Sequence, residues 1–303
     1  MENNNLNMHN NSVDEINIRE LFQTIWNGKI TIFAITLLSS ILAVLFSLSL
    51  PNIYQSEAIL SPVGAEVGSK KNSNIGGLAS LAGINLSSQP AGNSIKAMEK
   101  VRTLSFFEDY ILPNIFLPNL MAVDSWDPDT NKISYNENDY NEKTKTWNEI
   151  PSAQESYDEF KDIMSFTQDY DTGFVSVSVR HQSPNIAKDW VDLIVNQINY
   201  FFRMNDKKEA NLSIDFLNKQ ISQTSYTEIK QVIAQLLQNK VQQLTLIEAN
   251  EFYVFSYLDP PAAMEDREEP NRVSICFLGF IFGVLLGLLI VITRQYIITK
   301  EHY

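Results

Sequence analysis

Asp124, Asp127 and Asp129 offer clustered hard oxygen ligands and invite a calcium reading. An EF-hand loop alternates its ligands around a central glycine and closes on a distal glutamate. This segment has Trp126 and Pro128 between the acids instead, so a tight acidic turn is the expectation. Gly64, Gly68, Ser69 and Lys70 resemble a phosphate loop at a glance. The glycines are separated by three residues where four are required, and the lysine follows the serine, so the spacing is not that of a P-loop. His181 is the one histidine away from His9 and His302 near the chain ends, and Cys276 is the only cysteine. Zinc hydrolysis and cysteine catalysis therefore have no constellation to stand on. Acid/base pairs cannot be picked from an abundance of carboxylates alone. No catalytic residue, no metal ligand and no cofactor is therefore expected.

The elements around these residues explain why chemistry is scarce. Ile30 to Leu50 and Val273 to Thr293 are apolar stretches without a charged residue, each about the roughly 20 residues a helix needs to cross a bilayer. The chain then divides into a tail (1–29), a first span (30–50), an exterior domain (51–272), a second span (273–293) and a tail (294–303). Arg19 and Lys29 precede the first span, and Arg294 and Lys300 follow the second. By the positive-inside rule both short tails read as cytoplasmic. The first span is expected to be a retained anchor, since acidic residues precede it and it exits through Leu48, Ser49, Leu50 and Pro51 rather than a small-residue cleavage site. With a ten-residue tail after the second span, no kinase, cyclase or coiled-coil output module is expected there.

Between Asn52 and Arg272 there are 19 Lys and Arg against 31 Asp and Glu. An acidic exterior argues against nucleic acid and anionic lipid, which need a basic patch, and suits neutral glycans or a protein partner. With Cys276 inside the second span, packing rather than a disulfide must hold the exterior domain.

Tyr54–Leu60 and Phe252–Leu258 carry the aromatic and branched residues of strands, and are expected side by side near the membrane. After the turn Asp171-Thr172-Gly173, Val175, Val177 and Val179 alternate with Ser176 and Ser178, a strand with one buried and one wet face. Ser183-Pro184 reads as an N-cap followed by proline at the first helical position. From Pro184 to about Gln223 there is no proline or glycine, and Ile186, Trp190, Leu193, Ile194, Ile198, Phe201 and Phe202 mark an apolar face. Such a helix is about 60 Å long, more than a compact domain of this size spans, and is expected to project from the membrane. Ser225 and Glu228 have capping-box spacing for a second helix, whose Ile229, Ile233, Leu236, Leu237, Leu244 and Ile247 could pack back along the first, giving a helical extension over about 184–250. A further helix is expected over Ser94–Tyr110 and a surface loop over Leu120–Ile150. A stripe too extensive for one chain to cover would be spent on neighbouring copies.

The second span carries Gly279, Gly283 and Gly287. Glycines four apart let helix backbones approach closely and mark association faces, here expected to join copies of the chain, although glycine is also common in membrane helices. Pro260, Pro261 and Pro270 lead into that span and would stiffen the crossing from sheet to membrane.

Taken together, these segments resemble the Wzz family of polysaccharide chain-length regulators, the polysaccharide co-polymerases of Gram-negative inner membranes. The resemblance rests on Asp14-Glu15-Ile16 through Trp26, Gly28 and Lys29; on Gly76 to Ile84; on His181-Gln182-Ser183-Pro184 with Ala187 and Trp190; and most specifically on Leu258 to Arg272, followed by Gly279 and Gly283. The family usually has proline where Met264 stands and often serine where Glu269 stands. The resemblance implies an α+β fold, with a membrane-proximal mixed α/β base and a long projecting helix. It also implies an inner-membrane protein with both termini cytoplasmic and a periplasmic central domain, assembled as ring-like homo-oligomers. Its implied role is to set the modal length of O-antigen or a related glycan, without catalysing sugar transfer, in concert with a Wzy-type polymerase and its lipid-linked polysaccharide. An export or tyrosine-kinase adaptor for capsule is the alternative, and a periplasmic enzyme or sensor a third class.

Overall fold

The computed structural model describes residues 23, 25–63 and 90–301, with backbone alone for 90–93 and 295–301. Most of the Asp14–Trp26 stretch, the Gly64–Lys70 loop, the Gly76–Ile84 segment, His9 and His302 lie outside the described residues. The chain forms two compact units, one holding both apolar helices and the other Asn52–Glu269.

In chain order the elements are α1 (Lys29–Ser49), β1 (Tyr54–Pro62), α2 (Pro90–Val101), β2 (Val123–Asp127), β3 (Lys132–Tyr135), β4 (Tyr140–Asn141), β5 (Thr146–Trp147), α3 (Ala153–Ile163), β6 (Met164–Gln168), β7 (Val175–His181), α4 (Pro184–Gln223), α5 (Thr227–Ala249), β8 (Phe255–Asp259) and α6 (Arg272–Glu301). The second unit is built on a four-stranded antiparallel sheet in the order β6-β7-β1-β8. The two expected strands flanking the spans do pair, as β1 with β8. The mixed α/β base and the long helix are as expected.

Alternation decides which sheet face is buried. Ala58, Leu60, Phe166, Val175, Val177, Val179 and Phe255 are fully or almost fully buried together with Val191, Ile194, Val195 and Ile198 of α4. The opposite face carries Gln55, Glu57, Ser165, Thr167, Ser176 and Arg180. Ser178 on that face is nonetheless 8% exposed, because it sits between Glu57 and Ser165 across the neighbouring strands. Phe106, Phe107 and Phe160 extend the core, with Phe107 and Phe160 rings 5.2 Å apart.

Four local expectations are corrected. The helix over Ser94–Tyr110 breaks after Val101, because the Thr103 hydroxyl accepts the Phe106 N–H and starts a separate tight segment. Leu120–Ile150 is not one loop but two small hairpins, β2–β3 and β4–β5, held by Tyr135, Tyr140 and Trp147 packed ring against ring. Ser225 and Glu228 form no capping box, since α5 begins after Tyr226 without a side-chain cap. Ser183 does not cap α4 with its hydroxyl; its N–H is instead taken by His181 Nδ1 at 2.8 Å. Asp127 closes the acidic turn as expected, accepting from the Asp129 N–H at 3.0 Å and the Thr130 hydroxyl at 2.5 Å.

Candidate functional site

Three features of the chain carry arrangements that packing alone does not account for. The first is the proline-rich strap between β8 and α6. A proline has a fixed φ and no N–H, so a chain rich in them runs extended and leaves few donors for a neighbouring strand. The strap is tied at both ends instead, to β1 and to the residue just before it. The Ser56 hydroxyl donates to the Ala262 carbonyl at 2.8 Å, just past the buried Pro261. At the other end Ile53 and Glu269 exchange backbone hydrogen bonds of 2.9 and 3.2 Å. The Glu269 carboxylate also meets the Arg180 guanidinium at 2.8 Å, and Arg180 donates to the Asp162 carbonyl at 2.7 Å. The acid that stands where the resemblance leads one to expect serine therefore has a local partner, although an ion pair this exposed adds only about 0.2–1 kcal/mol. Pro260 and Pro270 bracket this strap, and Asn271 caps the helix that follows by accepting the Ser274 N–H at 3.1 Å.

The second feature is the junction of β7 and α4. His181 is buried, its Nε2 donates to the Asn119 carbonyl at 2.8 Å, and its Nδ1 accepts from Ser183. Both ring nitrogens are thereby assigned in the neutral imidazole. Burial lowers its pKa from the usual value, with the Asn119 and Ser183 bonds opposing. Further along α4, Asn199 is buried within the apolar face, and sequence reasoning missed it. Its Oδ1 accepts the N–H groups of Tyr253, Val254 and Phe255 at 3.3, 2.7 and 3.0 Å, while its Nδ2 donates to the Phe255 carbonyl at 2.9 Å. Strand β8 is at the sheet edge, where unpaired backbone groups would otherwise stand open; one side-chain amide occupies that edge as a neighbouring strand would.

The third feature is apolar surface on the helices. Beyond the sheet, α4 and α5 pack together around Ala210 and Ile247 and are joined by a Lys207–Glu248 ion pair of 2.5 Å. Tyr200, Met204, Leu212 and Phe216, spaced by multiples of four, remain exposed on α4, the last two by 62% and 60%. Ile229, Val232 and Leu236 are exposed likewise on α5. Side chains four apart form the ridge that packs into a groove of another helix.

In the unit of the two apolar helices, Gly279, Gly283 and Gly287 face α1 of the same chain. A Cβ added at Gly279 would stand 2.3 Å from the Ala43 Cβ, one at Gly283 would stand 2.9 Å from the Thr36 Cα, and one at Gly287 would stand 3.0 Å from the Ile32 Cα. The Ser39 hydroxyl donates to the Gly279 carbonyl at 2.9 Å. The pairing of 32 with 287, 36 with 283 and 43 with 279 makes the helices antiparallel. Both are long and apolar enough to cross a membrane.

These observations define a class: a chain with two candidate membrane spans and a mixed α/β domain bearing a long helical pair. Residues 14–103, which include α1, β1 and α2, match the family model of Wzz, the chain length determinant protein. That is the family whose motifs the sequence resembles. No curated protein matches the chain in sequence. Among solved structures, a full-length bacterial polysaccharide co-polymerase aligns over 92% of this chain and 98% of its own length, with 12% sequence identity and a TM-score of 0.42.

Proposed function

We propose that this protein is a non-enzymatic regulator of the modal chain length of O-antigen or a related surface polysaccharide, acting as a homo-oligomer beside a Wzy-type polymerase and its lipid-linked glycan. In this reading both termini are cytoplasmic and the sheet, strap and helical pair lie in the periplasm of an inner-membrane protein. The observation that carries it is the match of residues 14–103 to the chain length determinant family. The exposed ridges of α4 and α5 support the oligomer, since water-exposed apolar surface of this extent is costly unless a neighbour covers it. The glycine face of α6 is proposed as the helix-association face that holds the two spans together.

Deleting the gene and resolving surface glycan on a gel tests the function. Polymer that persists without its clustered lengths, with clustering restored from a plasmid, is the expected result. Loss of all polymer would assign the chain to export or synthesis, and an unchanged pattern would refute length control.

A further inference from the structure

Four segments distant in sequence meet at one cleft of about 410 Å³ in the second unit: Tyr54 opening β1, Trp126 to Asn131 at the tip of the β2–β3 hairpin, Pro184 and Asn185 opening α4, and Ala263 to Glu265 of the proline strap. That volume lies within the roughly 300–1,000 Å³ of small-molecule sites. The Tyr54 and Trp126 rings are 5.4 Å apart and nearly perpendicular at 77°, so they form a two-walled aromatic corner.

The polar groups of this corner have a fixed sense. An indole N–H can only donate, so the Trp126 Nε1 contact at 2.9 Å identifies the Asn131 atom facing it as Oδ1. That oxygen also receives Asn185 Nδ2 at 2.9 Å, which orients the second amide in turn. The Asn131 amide protons and the Asn185 carbonyl then remain, and among the described residues nothing takes them. Asn131 is held at φ 51°, a left-handed conformation that asparagine tolerates better than most residues. Glu265 supplies acceptors, and among the described residues no Lys or Arg lines the cleft.

We propose that this cleft binds a neutral sugar unit of a glycan. A pyranose presents C–H patches on its faces and hydroxyls around its rim. Two perpendicular rings receive the former, while a donor amide, an acceptor amide and a carboxylate receive the latter. A flat base or flavin would want parallel rings on both faces, and an anion would want a cation in place of Glu265. Met264, which stands where the resembled family usually has proline, contributes an adaptable thioether to the lining. The choice of a glycan over another neutral polyol rests on the length-control reading.

The test uses the full chain in lipid nanodiscs and the surface polysaccharide released by mild acid from cells that carry the gene, observed by saturation-transfer NMR. Transfer to sugar ring protons is expected with the wild type and with Tyr170→Ala, an exposed aromatic outside the cleft. Trp126→Ala should bind roughly tenfold more weakly, as truncation of an aromatic anchor does. Asn185→Ala, at an exposed position where misfolding is not at issue, should weaken binding as well. Absence of transfer to the wild type, or undiminished transfer with both cleft variants, would overturn the site. If gene deletion alters glycan length but the wild type shows no transfer, the site is wrong and length control stands. If transfer is lost in both variants but deletion leaves length unchanged, the site stands and length control falls.

Discussion

Replacing Asn199 by leucine, which keeps the branch at Cγ but is larger and apolar, removes the amide that closes the edge of β8. Three buried backbone groups lose their partner: the Val254 and Phe255 N–H groups, bonded at 2.7 and 3.0 Å, and the Phe255 carbonyl at 2.9 Å. The Tyr253 N–H, longer at 3.3 Å and only partly buried, adds little. An unsatisfied buried group costs about 1–3 kcal/mol. Because an edge strand admits some water and the leucine gains apolar contact, the low end applies to each, about 3 kcal/mol in all. For a unit of this size that lowers the melting temperature by about 6–12 °C. Circular dichroism of the full chain in detergent reads the loss, with Asn196→Leu on the exposed side of the same helix as control. A melting temperature for Asn199→Leu within about 2 °C of the control would refute the argument that this amide replaces a neighbouring strand.

Two further outcomes follow from the same geometry. His181 has a depressed folded pKa, so below the ordinary histidine value of about 6.5 the unfolded chain takes up the proton first. Its contribution is complete above that pH and is lost as the pH falls toward the folded value. His181→Asn keeps an oxygen for the Ser183 N–H, and should flatten the fall in thermal stability between pH 7 and 5; an unchanged slope would assign that fall to other groups. Gly283→Leu drives a side chain into the Thr36 backbone. Nitroxides at the exposed Leu45 and Phe277, with Cys276 replaced by serine, should then report a longer and broader separation, and the wild-type distance would contradict the proposed contact.

Much of the second unit could be read from sequence because its strongest signals are periodic. Val175, Val177 and Val179 alternate, and the residues after Pro184 repeat at helical spacing, so β7 and α4 fall where expected. Strands of two to five residues such as β2 to β5 are too short to show alternation, and their aromatic cluster forms only between hairpins. The Ser152–Glu155 capping box is a sequence signal that marks the start of α3. Asn199 was illegible for a different reason. A polar residue in an apolar run reads as a flaw in the helix face until the edge strand it serves is known. The cleft was equally hidden, since Tyr54, Trp126, Asn185 and Met264 come from four segments that the β1–β7 pairing, the Asn131–Asn185 bond and the Ser56–Ala262 bond bring together.

In the proposed function, copies assembled through the exposed helix ridges set the glycan length. The most direct test is the length distribution of surface glycan in cells whose chromosomal gene carries Leu212→Glu and Phe216→Glu, both at exposed positions that leave the fold of one copy intact. Full-length protein at normal abundance with polymer that has lost its clustered lengths is the predicted result. Wild-type clustering in those cells would contradict it.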